Sequence, residues 1–231
     1  MSAEELRPVI HVVAGAVTDG AGRVLIAQRP KGTHLAGGWE FPGGKLEPGE
    51  DRRAGLAREL REELGIAIGD PRPLIRLRHA YPEREVLLDV WVVRHYSGVP
   101  RGLEAQALRW CTQNELETVQ LLPADGPIVR ALRLPERLVV ASSANYVVNG
   151  SATVVQEQGP RLRGTICSDL IDARAAAPAA DFLVLRDAAT PVEIASFCAQ
   201  VCIPVFARSS REISLEQVWA LGATGTHDLE L

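Results

Sequence analysis

The stretch Gly44–Ile66, GKLEPGEDRRAGLARELREELGI, decides how the rest of this chain is read. It predicts a glycine-rich loop feeding a helix over about Asp51–Leu64. The helix stops at Gly65, a residue suited to the left-handed conformation after a helix end. Leu56, Leu60 and Leu64 recur every four residues and predict its buried stripe. Glu59, Glu62 and Glu63 stand at i, i+3 and i+4, so their carboxylates share another face, where like charges repel by roughly 0.2–0.5 kcal/mol per pair. A positive charge is expected there.

Hard divalent cations such as Mg²⁺ take oxygen ligands from a few carboxylates, keep several waters and share the rest of their coordination with substrate phosphates. Three glutamates beside a glycine-rich turn suit that chemistry. Gly43 and Gly44 let the backbone come close to metal or phosphate, and Pro42 stiffens the approach. A divalent metal neutralises phosphate charge and acidifies a water for attack on phosphorus. The competing reading of the three glutamates alone is a solvated Glu/Arg helix laced by salt bridges. The full pattern of Gly44, Glu50, Arg58, Glu59, Leu60, Glu62, Glu63, Gly65 and Ile66 favours the metal.

With every one of those positions in place, the segment resembles the whole signature of the Nudix hydrolases, which cleave nucleoside diphosphates linked to another moiety. The flanks are similar to the MutT branch, the enzymes that remove oxidised guanine nucleotides from the precursor pool. HVVAGAVTDGAGRVLIAQRP followed by WEFPGGK resembles the amino-terminal hairpin and approach loop of that branch. AYPEREVLLDVWVV, GLEAQALRW and LLPADGPIV resemble its later strands and the start of its final helix. The resemblance covers about residues 8–134. It implies an α+β sandwich with a mixed sheet between helices, and Mg²⁺ as cofactor with Mn²⁺ as a substitute. It also implies hydrolysis of a nucleoside triphosphate to the monophosphate and pyrophosphate, with 8-oxo-dGTP the favoured substrate. Another nucleotide, such as a pyrimidine triphosphate or a dinucleotide sugar, stays open. So does a nucleotide- or thiamine-phosphate-sensing role, which the intact glutamate cluster argues against.

Glu59 is the expected metal ligand and general base, Glu62 and Glu63 are expected as further ligands, and Gly43 is expected to offer its carbonyl. Arg58 and Glu50 are expected to pair and hold the loop against the helix. In the MutT branch the position of Glu104, in GLEAQ, supplies another carboxylate at the metal cluster; an exposed loop acid is its alternative. The resemblance places Arg29, Glu40, Phe41, Tyr81, Arg84 and Asp125 at the nucleotide, with His34 a loop residue near the ligand. Gly44 and Lys45 belong to the phosphate end, where Lys45 binds phosphate or pairs with a neighbouring glutamate. Tyr81 suits stacking on a base, and Arg29 suits a phosphate or a base acceptor. Asp125 departs from the Asn usual in MutT enzymes. An Asn amide donates and accepts, whereas an ionised Asp only accepts, so base preference is the open part of the reading. Asp125 also reads as a helix start ahead of Pro127.

At 231 residues, 46% hydrophobic and 23% charged, the chain is able to bury a sizeable core and is not a disordered polymer. A net charge of −4 argues against a nucleic-acid polymer as partner, whereas a small nucleotide needs only a local positive site. MSAEELRP has no basic start followed by an apolar run, so no secretory signal is expected. Val9–Val17, interrupted by His11, is far short of the roughly 20 apolar residues a membrane helix needs. Cys111, Cys167, Cys198 and Cys202 form no ligand framework. Buried thiols are the simplest reading, with metal or disulfide pairing of Cys198 and Cys202 the alternative. A reducing cytoplasm is the expected home.

The pattern changes near residue 135, which divides the chain into an expected Nudix domain, 1–134, and a small β/α domain, 135–231. In the first, strands are predicted at Val9–Val17, Arg23–Gln28, Pro73–His79, Glu85–His95 and Leu108–Thr112, and a helix from about Ala124. In the second, Leu138–Ala141, Leu162–Ile166, Phe182–Leu185 and Ile203–Ala207 read as buried parallel strands, with helices including Pro191–Val201 and Leu215–Leu221. CIPVFARS and WALGATGTHDL resemble the later half of a thiamine-phosphate-synthase-like TIM barrel, which implies part of such a barrel. A whole barrel takes about 250 residues and rarely under about 200, so residues 136–231 are too few. Arg208-Ser209-Ser210 and Thr226-His227-Asp228 stand where glycine-rich phosphate loops would be and read as exposed loops, so no synthase activity is expected. Open-edged parallel strands need cover, which predicts packing on the first domain or a homodimer through this region.

Overall fold

In the computed structural model the described residues are 8–134, 137–138, 146–149, 162–185, 190–201, 203–208, 217–218, 223 and 225–227. Two compact units result: Met1–Pro71 with Leu77–Asp125, and Arg72–Arg76 with Gly126–Leu231.

In the first unit the apolar run VIHVVAGAV forms β1 (Val9–Val17), and a turn tied by the Asp19 carboxylate to the N–H groups of Ala21 and Arg23 returns the chain as β2 (Val24–Gln28). The short strands β3 (Trp39–Glu40) and β4 (Gly43–Lys45) follow. Residues 43–45 are therefore strand where a loop is expected. Glycines carry no alternating side-chain signal, and β4 is held by backbone pairing of Gly43 and Gly44 with Ala14 and Val13.

Helix α1 (Arg52–Leu64) opens at Asp51, whose carboxylate accepts the N–H groups of Arg53 and Ala54 at 2.9 and 3.1 Å. It ends at Gly65 with φ of 69°, as its sequence predicts. β5 (Ala67–Ile68) then leads to β6 (Arg72–Ala80), which enters this unit at Leu77 and turns through residues 81–84 into β7 (Glu85–Val93). β8 (Tyr96–Ser97), β9 (Leu108–Cys111) and the short α2 (Gln113–Leu116) complete it.

The main sheet runs β4-β1-β7-β6 and is mixed: β1 is antiparallel to β4 and parallel to β7, with Val9 opposite Glu85 and Val17 opposite Val93. A second sheet runs β3-β2-β9. Leu56, Leu60 and Leu64 are fully buried against Val13, Val17, Leu25, Trp91 and Val93, so the predicted stripe is the face that fixes α1 on the sheet. The fold is the expected α+β arrangement around a mixed sheet.

The helix expected from Ala124 opens as a 3-10 turn at Pro123–Asp125 and becomes α3 (Gly126–Ala131), by its contacts part of the second unit. That unit holds β10 (Arg137–Leu138), β11 (Tyr146–Asn149), β12 (Leu162–Cys167), α4 (Leu170–Ala176), β13 (Phe182–Leu185), α5 (Pro191–Gln200), β14 (Val205–Arg208) and β15 (Gly225–His227). All pairings are parallel, in the order β10-β15-β14-β13-β12-β11.

Thr190 and Glu193 form a capping box ahead of α5, which explains its sharp start. Thr226 and His227 lie in a strand, not in the expected loop, and Arg208 ends β14. Ser209, Ser210, Asp228, Cys202 and most of the helix expected at Leu215–Leu221 fall outside the described residues, as does the stretch 139–141. Cys111, Cys167 and Cys198 are buried thiols. Among the described residues no helix is long and apolar enough to cross a membrane.

Leu60 has no exposed surface, and truncating such a residue leaves a cavity the close-packed core fills poorly. Leu60→Ala is expected to lower unfolding free energy by about 2–5 kcal/mol, read as a lower denaturant midpoint at unchanged slope. A shift under about 1 kcal/mol would show that α1 is not anchored through this stripe.

Candidate active site

Three elements converge on one region: β4, the far half of α1 and the loop carrying Glu104. Gly43 has φ of 151°, and a Cβ there would lie 2.1 Å from the Val13 carbonyl oxygen. A Cβ on Gly44 would lie 2.3 Å from Glu59 Oε2. Glycine at 43 lets β4 close on β1, and glycine at 44 lets α1 close on β4. The Gly43 N–H donates to Glu63 Oε2 at 3.0 Å.

Burial pushes the Glu63 carboxyl up to about 8, with the nearby charges of Glu104, Glu40 and Glu59 acting the same way and the Gly43 N–H opposing them. Burial also raises Glu59, against its bonds from Arg58. Arg58 grips Glu50 with two N–H bonds of 2.9 Å, donates to Glu59 at 2.8 Å and Glu62 at 3.3 Å, and reaches the Lys45 carbonyl at 3.1 Å. The expected Arg58–Glu50 pair is thus present, and the Arg58 bonds hold the Glu50 carboxyl down at about 2.

Glu62 stands apart, its side chain 57% exposed against 14% for Glu59. Among the described residues no three acidic, imidazole or thiol side chains form a ready-made metal cage. The donor set still fits Mg²⁺. It is all oxygen, and Mg²⁺ binds through one or two carboxylates plus waters and phosphates rather than a closed protein cage. Buried carboxyls driven towards neutrality by one another are also what a cation would relieve.

Beside this cluster opens a cavity of about 380 Å³. Arg29, His34, Glu40, Phe41, Gly44, Lys45, Tyr81, Arg84 and Asp125, the whole set expected at the nucleotide, line it, as does Gly43. Its apolar floor of Ile10, Val12, Val86 and Leu88 was not foreseen. The period of two in β1 and β7 assigns these residues to one face but does not say what that face meets.

Arg29 is not free: it donates to both Glu40 carboxylate oxygens at 2.9 and 2.7 Å and to the His34 carbonyl at 2.7 Å. Tyr81 packs edge-on to His34 with ring centres 5.6 Å apart and to His79 at 4.5 Å, and the Ala124 N–H bonds its phenol oxygen. Among the described residues two non-glycines have positive φ, Leu35 at 59° and Ala105 at 61°; Leu35 lines the cavity and Ala105 follows Glu104. Such strain concentrates at functional sites.

Asp125 is 4% exposed, and its Oδ2 has no hydrogen-bond partner. Burial pushes its carboxyl well above the usual range and Glu40 adds to this, while the Phe41 N–H and Arg29 oppose. The proton is therefore held to higher pH than on an ordinary Asp, and a neutral carboxyl both donates and accepts, as an Asn amide does.

Fold and motif together identify the class: the NUDIX domain model matches residues 13–131, and the chain belongs to the Nudix family of hydrolases. It is 42% identical to the CTP pyrophosphohydrolase of Escherichia coli over 53% of this chain and 90% of that protein. It is 44% identical to the putative 8-oxo-dGTP diphosphatase 2 of Mycobacterium tuberculosis over 49% of this chain and 81% of that protein. Among solved structures, that of the E. coli ORF135 protein is similar, with 38% identity and a TM-score of 0.50 over 56% of this chain and 92% of the other.

The folded chain keeps the Asp125 proton to higher pH than the unfolded chain does, so this group makes stability fall as pH rises from the ordinary 3.8 towards the folded value. Asp125→Asn has no proton to lose. Its melting temperature is expected to match the parent's most closely near pH 4 and to gain on it as pH rises above that. Parallel curves of melting temperature against pH would show that native Asp125 is ionised.

Proposed function

We propose that the protein is a Mg²⁺-dependent nucleoside triphosphate diphosphatase, releasing a monophosphate and pyrophosphate, with 8-oxo-dGTP as favoured substrate. Its role is then to clear an oxidised nucleotide before it is incorporated into DNA. One observation carries the reading: a single cavity is lined at once by Gly43, which bonds Glu63, by Gly44, against which Glu59 lies, and by the buried, partly unpaired carboxyl of Asp125.

On this reading the base lies over the apolar floor beside Tyr81, with its edge at Asp125. The neutral acid donates to O6 and accepts from the N7–H that 8-oxoguanine carries. Guanine presents two acceptors, O6 and N7, on that edge, so one carboxyl oxygen would face a lone pair. The phosphates lie along Lys45, Arg84 and the β4 backbone. Glu63, Glu59, Glu62 and Glu104 with the Gly43 carbonyl are the proposed metal donors, and the metal, when bound, supplies charge neutralisation at the phosphates and acidifies a water. Glu59 takes a proton from the attacking water as its oxygen bonds to phosphorus and the bridging oxygen leaves with pyrophosphate. Arg58 and Glu50 hold Glu59 and the loop in register.

Cytosine is the specific rival. Its N4 amino group and N3 form an adjacent donor and acceptor that a neutral acid also matches, and a relative with 42% identity is a CTP pyrophosphohydrolase. We further propose that residues 1–134 form the catalytic domain and 135–231 a partial barrel of thiamine-phosphate-synthase type. Its support is the all-parallel strand order, in which the edge strands β10 and β11 are consecutive in sequence.

A panel of 8-oxo-dGTP, dGTP, CTP and dCTP with pyrophosphate detection tests the reading. An unpaired buried acceptor costs about 1–3 kcal/mol, so kcat/KM for 8-oxo-dGTP is expected to exceed that for dGTP by about tenfold or more. Asp125→Ala should narrow that gap more than it slows dGTP. Equal values for the two guanine nucleotides, or CTP at the head of the panel, overturn the oxidised-guanine assignment. Glu63→Gln keeps size and helix propensity but removes a charged donor, so turnover of every nucleotide should fall by orders of magnitude at unchanged circular dichroism. Retained turnover in saturating Mg²⁺ removes the metal assignment.

A further inference from the structure

The last carbonyls of a helix have no partner within it and are met by caps, water or other chain segments. At the end of α1 the partner is the loop that carries Glu104. The Arg101 N–H donates to the Leu64 carbonyl at 3.0 Å and the Leu103 N–H to the Glu63 carbonyl at 2.9 Å. Gln106 then spans both segments: its Nε2 donates to the Glu63 carbonyl at 3.1 Å, and its Oε1 accepts the Glu104 N–H at 2.8 Å. It is one of the few buried polar residues, at 9% exposure. The turn that lets it reach back passes through Ala105 at φ of 61°, a conformation an L-residue adopts only under constraint.

One planar amide therefore ties the backbone of Glu63 to the backbone of Glu104. With the Leu103 N–H on the same Glu63 carbonyl, the two segments that carry these glutamates are held together by backbone and side chain alike. A donor and an acceptor are both required, because one bond ends on a carbonyl and the other on an N–H. Methionine has the length without the donor, and asparagine has the chemistry without the length.

We infer that Gln106 is a positioning residue for divalent-metal binding, holding Glu104 at a fixed distance from Glu63 by strapping its loop to the end of α1. The inference rests on the functional reading above for the use of the metal, but its geometry is independent of which nucleotide is bound. Gln106 does not line the nucleotide cavity, so its loss should act on metal and not on base.

The test is Mn²⁺ binding without nucleotide, followed by the electron paramagnetic resonance of free Mn²⁺, in the full chain. Gln106→Met is expected to weaken binding by roughly tenfold or more, the usual scale for groups that orient metal ligands. It should raise the Mg²⁺ concentration for half-maximal turnover similarly and leave the nucleotide KM within about twofold at saturating Mg²⁺. In a Glu104→Gln background the same substitution should have little further effect on Mn²⁺, because its route through Glu104 is already cut. If Gln106→Met does not fold, Gln106→Asn takes its place under the same criteria.

Unchanged Mn²⁺ affinity, or full additivity with Glu104→Gln, overturns the inference, as does failure of both substitutions to fold, which would make Gln106 a folding residue. A parent that binds Mn²⁺ but cleaves nothing in the panel removes the functional reading and leaves this one standing.

Discussion

Because Gly43 carries no side chain, β4 closes tightly on β1, and because Gly44 carries none, Glu59 of α1 fills the space a Cβ there would need; in this arrangement Glu63 accepts the Gly43 N–H at 3.0 Å. That approach gathers carboxylates which repel one another along the helix. It is tolerable only with a cation nearby. Arg58 supplies one permanently, bonded at once to Glu50, Glu59, Glu62 and the Lys45 carbonyl. The same guanidinium thus fixes the loop after β4 and steadies the helix that faces it. Glu63 lies beyond its reach and, as burial raises it to about 8, is the carboxyl with most to gain from a second cation.

Burial acts at both margins of the cavity but to different ends. At Glu63 it leaves a carboxyl surrounded by Glu104, Glu40 and Glu59, where added positive charge would restore the ionised form. At Asp125 the opposing cation, Arg29, is itself engaged by Glu40 and by the His34 carbonyl. Burial and the Glu40 charge raise the Asp125 carboxyl well above its ordinary value, with the Phe41 N–H and Arg29 opposing. One region suits a metal and phosphates, and the other a neutral base edge.

Much of this was legible in the sequence, and what was missed has physical causes. The helix, its Asp51 and Gly65 ends and its leucine stripe follow from local spacing and capping, which a single sequence carries in full. The long apolar strands β1, β7, β12 and β13 were legible for the same reason. β4 was not, because two glycines have no pattern to read. The Arg58–Glu50 pair lies within one loop and helix and was foreseen. The Gln106 bond to Glu63 joins residues 43 apart in sequence and was not. The burial of Asp125 was not legible, because composition cannot say how deeply one acid is buried.

The relatives act by name on different bases, one on CTP and another on 8-oxo-dGTP, and a neutral carboxylic acid offers a physical route between them. An amide fixes its donor on nitrogen and its acceptor on oxygen, so reversing the pair requires turning the group over. A carboxylic acid reverses the pair by carrying its proton on the other oxygen. At Asp125 one oxygen is free of protein partners and the Phe41 N–H serves the carboxyl from the backbone. On the proposed reading such a residue accepts an adjacent donor and acceptor in either order, and rejects only an edge with two acceptors, such as O6 and N7 of guanine. Discrimination would then be sharp against that edge of guanine and shallow among the bases that match. Size and stacking at Tyr81 and over the apolar floor, rather than the acid, would decide between oxidised guanine and cytosine.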